Sequence, residues 1–237
     1  GMPMGTDILA VGDVPQGTGL GSSSTLTVGL LKAIRVYTNN DATPETIARE
    51  ACTVERDILG SPIGVQDQYI ASYGGFRFME FGKSGVGVGE SIPDTRDLND
   101  RLMLFYTGVS REASSILSEQ VTKYNDIFLN DIKEIAYMAK EELDKKNYDA
   151  IGSLLNESWE VKKKLASRIT NDKIDESYQL AIDAGALGGK IAGAGGGGFL
   201  LIYSPPERKE AVRRALGKLR ELPFRFEPSG SKVIFND

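Results

Sequence analysis

"DVPQGTGLGSSSTLTVGLLKAI", Asp13–Ile34, places Gly17, Gly19 and Gly21 two residues apart behind Pro15, and follows them with Ser22, Ser23 and Ser24. A loop that only turns needs one or two glycines. Three alternating ones let a backbone come close to something. Downstream, Leu26, Leu30, Ile34 and Tyr37 recur at helical spacing, so a helix is expected from about Gly21 to "TNND". Upstream, "TDILAVG", Thr6–Gly12, reads as a short buried strand. A strand, a glycine loop and a helix start suit an anion, because the first turn of a helix leaves N–H groups without partners. The loop lacks the Gly-Lys-Ser/Thr ending of a Walker loop and the G-x-G-x-x-G spacing of a dinucleotide fingerprint. Hydroxyls in a first helical turn can donate to phosphate or ligate Mg²⁺, and they also serve as ordinary helix caps.

The composition narrows the chemistry. Histidine is absent, so Ser-His-Asp, Cys-His and His-metal sites are excluded, and acid–base work falls to Asp, Glu, Lys, Tyr or water. Cys52 is the single cysteine, which rules out an intrachain disulfide. A net charge of −5 with no basic block argues against nucleic acid as partner. No apolar run is long enough to span a bilayer, so no membrane partner and a cytoplasmic location are expected.

The remaining elements alternate. Thr43-Pro44 is a cap with proline at the first helical position, and that helix should reach Leu59 before "GSPIG" breaks it. A short helix ends at Gly74-Gly75, and "FRFMEF" and "VGVGE" pair as strands. "LMLFYTG" is a buried strand, and about Arg111 to Ala184 is mostly helical with breaks near Asn147 and Ser167–Thr170. A glycine-rich turn then leads into the strand Phe199–Tyr203. "SPPE" is expected to cap a helix running to about Leu219, and "PFRFEP" and "KVIF" to close as strands. The fold class is α+β with two cores, residues 1–95 and 96–237, divided at the Pro/Asp-rich stretch near Ser91–Asp100.

"PQGTGLGSSS" resembles the phosphate-binding motif of the GHMP kinases, in which Gly-Leu-Gly-Ser-Ser is contiguous, as it is at Gly19–Ser23. "ERDILGSPIGVQDQYIASYGG" is similar to that family's second landmark, and "GALGGKIAGAGGGGFLLIY" to its third. The resemblance implies a GHMP N-terminal domain followed by a ferredoxin-like C-terminal domain. It implies ATP and Mg²⁺ as cofactors. Pro15, Gly17, Gly19, Leu20, Gly21, Ser22, Ser23 and Ser24, with Gly193, Gly195, Gly196 and Gly197, would bind the nucleotide. Ser23 and Glu55 would hold the metal, and Asp67 would be the catalytic base facing the substrate.

Each assignment has a plainer counterpart. Glu55, between Val54 and Arg56, also reads as a surface carboxylate, and Asp67 as a helix N-terminal acid. In "YTGVSREASSI", Thr107, Ser110 and Arg111 could reach a sugar phosphate, or Arg111 could simply sit beside Glu112 on the surface. Lys190 reads as a helix-end cation in preference to a phosphate contact, and the third glycine run could be a hairpin linker. The implied substrate is a sugar or sugar phosphate, foremost the anomeric hydroxyl of a heptose 7-phosphate, with galactose or fucose as alternatives. Members of the family carry a further stretch ahead of the phosphate loop. The expectation is therefore a truncated chain that is a poor catalyst or a weakly nucleotide-binding remnant, self-associating as a homodimer through an exposed sheet edge.

Overall fold

The computed structural model describes residues 6–15, 17–109, 114–122 and 125–235. Two compact units form. The first comprises residues 1–16, 21–93 and 226–237, and the second residues 17–20 and 94–225. The division near residue 93 falls in the Pro/Asp-rich stretch, but two segments depart from a single cut after residue 95. Residues 17–20 count with the second unit, and the C-terminal stretch returns to the first.

The first unit is built on three helices, α1 (Ser22–Tyr37), α2 (Pro44–Cys52) and α3 (Gln66–Tyr73). Thr43 caps α2 by accepting the Thr46 N–H at 3.2 Å, with Pro44 at the first helical position. The small core is Val28, Ile47 and Ala51, with Leu31, Ala42 and Ala71 against it. The stripe expected to face this core is rotated. Leu26 and Tyr37 are exposed, and Ser24 and Val28 are buried instead. Beyond α2 the helix continues from Thr53 to Ile58 as a π turn, in which the Leu59 N–H reaches back five residues to the Val54 carbonyl. The hairpin of β1 (Met79–Gly82) and β2 (Gly85–Val88) pairs Met79 with Val88.

Two strand expectations fail here. Residues 6–12 form no strand, and Ile8, Leu9 and Val11 are exposed. An apolar run becomes a strand only when a neighbouring strand takes up its hydrogen bonds, and among the described residues this run joins neither sheet. "PFRFEP" and "KVIF" are likewise not strands. The former is anchored by side chains and single bonds: Phe226 packs on Phe76 with ring centres 5.3 Å apart, and the Gly75 N–H donates to the Glu227 carbonyl at 2.7 Å.

In the second unit a short helix α4 (Arg96–Asn99) leads into β3 (Leu102–Tyr106). Then come α5 (Ser114–Thr122), α6 (Asp126–Asp144), α7 (Tyr148–Lys162) and α8 (Asp172–Asp183). The strands β4 (Gly188–Ile191) and β5 (Phe199–Tyr203), the helix α9 (Lys209–Ala215) and β6 (Arg220–Glu221) complete it. The sheet order is β4-β5-β3-β6 with every pairing antiparallel. Read from β3, this is β-α-β-β-α-β with the first strand central, the split arrangement of ferredoxin-like folds. Its core gathers Met103, Phe105, Trp159, Ile169, Leu200 and Ile202, all nearly fully buried. Trp159 is 1% exposed.

The "SPPE" cap does not form. Ser204 is buried and its hydroxyl donates to the Pro205 carbonyl, so the chain enters a 3₁₀ turn at Pro206–Arg208 and the helix stops at Ala215 rather than Leu219. Lys190 lies in β4, not at a helix end. Among the described residues no helix is long and apolar enough to cross a membrane.

Candidate active site

In the first unit the site is organised at the start of α1. Gly21 is its N-cap in the left-handed region, φ 67° and ψ 25°, which a side chain would strain, and no side chain caps the helix. The N–H groups of the first turn are thus not taken by a capping side chain. Ser23 donates from Oγ to Glu55 Oε1 at 2.5 Å, and Gln68 donates from Nε2 to Glu55 Oε2 at 2.5 Å. Glu55 is 1% exposed and Gln68 is fully buried. The surface-carboxylate reading of Glu55 is therefore excluded, and the residue lies buried within the π turn.

Asp67 stands half-buried in the first turn of α3, where its Oδ1 accepts from Gln66 Nε2 at 3.2 Å. It lies alongside the cap of α1, since a methyl group on Gly21 would fall 3.4 Å from Asp67 Cγ and Oδ2. Ser22 is half-buried beside this cap, whereas Ser24 turns inward and is 3% exposed, so it is core rather than a ligand contact.

These oxygens suit magnesium. A carboxylate offers about four lone-pair positions, and the two hydrogen bonds on Glu55 leave capacity on both oxygens. Mg²⁺ is commonly held by one or two carboxylates plus phosphate oxygens and water. One carboxylate and one hydroxyl match that set. A cage of three or more acidic, His or Cys groups is absent among the described residues.

In the second unit residues 17–20 are packed against the third glycine run. Thr18 is fully buried. A Cβ on Gly19 would overlap the Ala192 carbonyl oxygen, and one on Gly193 would fall 2.8 Å from Gly19 Cα. Both glycines are needed because two backbones touch. The rest of the run is pinned by its own hydrogen bonds. Gly196 N–H donates to the Ile169 carbonyl and Gly198 N–H to the Val109 carbonyl, each at 2.7 Å. It is no slack hairpin linker. Those two amides are spent inside the fold, so Gly196 is a packing residue rather than an anion donor.

Thr107 is corrected in the same way. It is 4% exposed, and both its N–H and its hydroxyl donate to the Gly198 carbonyl at 2.9 Å, while its own carbonyl accepts from Lys173. Buried donors must find partners, and here they brace the glycine run instead of meeting a sugar. Ser110 and Arg111 lie outside the described residues. Pro15 is exposed and Leu20 half-buried at the two ends of the stretch.

Two residues escaped the sequence reading. Gln68 follows Asp67 and the step of about 100° between neighbours on α3 carries it inward, a signal available only once α3 is placed. Its Oε1 is buried with no hydrogen-bond partner among the described residues. Lys162 ends α7 and donates from Nζ to the Gly193 carbonyl at 2.6 Å.

A glycine loop ahead of α1, a Ser23–Glu55–Gln68 cluster whose Glu and Gln are buried, and a neighbouring aspartate are the kind of parts a phosphoryl-transfer class of protein uses. The chain belongs to the GHMP kinases: the family's N-terminal domain matches residues 2–75 and its C-terminal domain residues 139–221. It is 35% identical over 234 residues to the D-glycero-alpha-D-manno-heptose 7-phosphate kinase of Campylobacter jejuni subsp. jejuni serotype O:2, covering 94% of this chain and 69% of that protein. A crystal structure of a D-glycero-D-manno-heptose 1-phosphate kinase from Bacteriodes thetaiotaomicron is similar at 32% identity and a TM-score of 0.70, covering 92% of this chain and 64% of that one. A bifunctional fucokinase/GDP-fucose pyrophosphorylase of Arabidopsis thaliana is 30% identical over 86% of this chain and 20% of its own length. The chain thus spans about two thirds of the length of the first two relatives, 69% and 64%.

Proposed function

We propose that this chain carries out ATP-dependent phosphorylation of a sugar phosphate, at the anomeric hydroxyl of a heptose 7-phosphate. The observation that carries the reading is the Ser23–Glu55–Gln68 cluster, its carboxylate and amide buried, with Asp67 beside the Gly21 cap of α1, in a GHMP chain. Residues 17–24 receive the phosphates through backbone N–H groups. Ser23 and Glu55 are the residues that would hold Mg²⁺, and the chemistry of a bound magnesium ion is neutralisation of charge on phosphate oxygens. Asp67 accepts the proton of the attacking hydroxyl. Phosphoryl transfer needs little else from the protein beyond alignment and charge stabilisation.

The substrate class follows the heptose relatives, both of which cover more than nine tenths of this chain. The fucokinase relative supports a second reading, a fucose- or galactose-type sugar kinase. A coupled ADP-release assay over heptose 7-phosphate, heptose 1-phosphate, galactose and fucose separates the two. Turnover confined to the free sugars overturns the heptose assignment. If ADP is released with none of them and calorimetry shows no binding of Mg-ATP, the kinase reading itself fails.

A further inference from the structure

Glu55 is held at both oxygens of its carboxylate. Ser23 donates to Oε1 and Gln68 to Oε2, each at 2.5 Å, and all three residues belong to the first unit. The two donors differ in setting. Ser23 stands exposed in the first turn of α1, whereas Gln68 is fully buried in α3. An ionised carboxylate can only accept, so the Gln68 amide must turn its NH₂ to Glu55 and its oxygen away. That oxygen is buried without a hydrogen-bond partner among the described residues. The hydroxyls of α3 are committed elsewhere, Tyr69 and Tyr73 to Glu45 and Ser72 to the Pro44 carbonyl.

A side chain needed only to fill this space would be apolar, since an orphaned buried acceptor costs free energy that a methionine there does not. What the amide supplies is its N–H on Glu55. A carboxylate free to turn can grip a cation with both oxygens. One whose second oxygen is tied to a buried donor presents the other. This difference separates the divalent cations: Ca²⁺ takes carboxylates through one oxygen or both in a large, loose shell, while Mg²⁺ demands a small and nearly octahedral one.

We propose that Gln68 is a positioning residue that fixes Glu55 as a one-oxygen ligand and so sets a preference for a small octahedral divalent cation, Mg²⁺ or Mn²⁺, over Ca²⁺. Ser23 carries lone pairs and can turn from Glu55 to the ion, whereas the Gln68 N–H has nothing to offer a cation and stays on Oε2. The proposal rests on the kinase reading for the presence of a divalent cation with a nucleotide.

The test follows Mn²⁺ by electron paramagnetic resonance as it is titrated into the full chain with the non-hydrolysable ATP analogue AMP-PNP, and Ca²⁺ is titrated in competition. Gln68→Met, similar in length and apolar, should bind Mn²⁺ about tenfold more weakly with Ca²⁺ affinity held, so that the ratio of the two affinities falls about tenfold. AMP-PNP binding in the presence of a chelator should match wild type. In a Glu55→Gln background the same substitution should leave the ratio unchanged, because Gln68 acts only through Glu55. Thermal melts check folding, and Gln68→Asn, an amide one methylene too short to reach Glu55, should show the same fall and decides the matter if the methionine variant does not fold. A ratio within about twofold of wild type, even with both affinities lowered, makes Gln68 a packing residue and overturns the proposal while leaving the kinase reading intact. A further fall in the Glu55→Gln background overturns it too. Wild-type protein that binds Mn²⁺ but no AMP-PNP sinks the kinase reading and leaves the ratio to judge Gln68. Binding of neither sinks both.

Discussion

Gly198→Ala is the substitution whose outcome the structure fixes most tightly. Gly198 sits at φ 84°, and a Cβ there would overlap the Thr18 carbonyl oxygen and lie 2.7 Å from the Thr18 carbonyl carbon. The left-handed backbone alone costs an alanine about 1–2 kcal/mol. Relieving an overlap with main chain, which cannot swing away as a side chain tip can, adds roughly 1–3 kcal/mol. Three hydrogen bonds converge on this residue: its N–H to Val109 and its carbonyl from both donors of Thr107. Each is worth about 1 kcal/mol, and a shifted backbone weakens at least one of them. The sum is a loss of about 3–6 kcal/mol from the second unit. Trp159 is the sole tryptophan and is buried in that unit's core, so its fluorescence during urea unfolding reports on it directly. Gly29→Ala is the matched control. Nothing lies within 4 Å of a methyl group there, mid-way along α1, and helix propensity should return about 0.5–1 kcal/mol. A loss below about 1 kcal/mol for Gly198→Ala would refute the claim that residues 17–20 are seated by backbone contact.

Asp67→Asn should lower turnover by about 10²–10⁴-fold with ATP affinity unchanged, read by single-turnover kinetics alongside calorimetry; near-normal turnover would remove it as the base. Gln68→Leu removes a buried donor from Glu55, and magnesium-dependent nucleotide binding should weaken about 10–100-fold while metal-free binding holds. Equal losses with and without magnesium would make Gln68 a packing residue only. Thr107→Val deletes one of the two bonds to Gly198 and should cost about 0.5–1.5 kcal/mol in the same fluorescence assay, with the apparent constant for the sugar unchanged. A raised sugar constant at undiminished stability would return Thr107 to the substrate.

Much of this architecture is local and so was legible. The Thr43-Pro44 cap, the α1 start behind Gly21 and the strands β3 and β5 follow from short-range preferences that the fold leaves intact. What failed depends on partners distant in the chain. Residues 6–12 have strand composition but join neither sheet among the described residues, and the Phe226 stretch is anchored through ring packing on Phe76 and a backbone hydrogen bond from Gly75 instead of a sheet. The site divides along the same line. Ser23, Glu55 and Asp67 were named from motif resemblance, and their juxtaposition around α1 follows from packing. Thr107 and Gly196 were misassigned because a hydroxyl or a glycine amide looks available in a sequence whether or not another backbone has already claimed it. Gln68 lies inside the second landmark stretch without a role assigned there and Lys162 lies outside all three, so only burial and geometry single them out.

The π turn over Thr53–Ile58 has a consequence for how such a chain can change over generations. A π turn is an α-helix carrying one residue in excess, and it persists where the extra residue is useful, since the regular helix is the more favourable form. Removing either Thr53 or Val54 would let α2 run on as an ordinary helix, and each later position would turn by about 100° around its axis. Glu55 would then leave the line along which Ser23 and Gln68 reach it. Every residue type in the cluster would survive, and the shortened helix would be the steadier one. The buried carboxylate is thus specified by the count of residues as much as by their identity. A library of substitutions would never reveal that dependence, whereas a library of single deletions would show it at once.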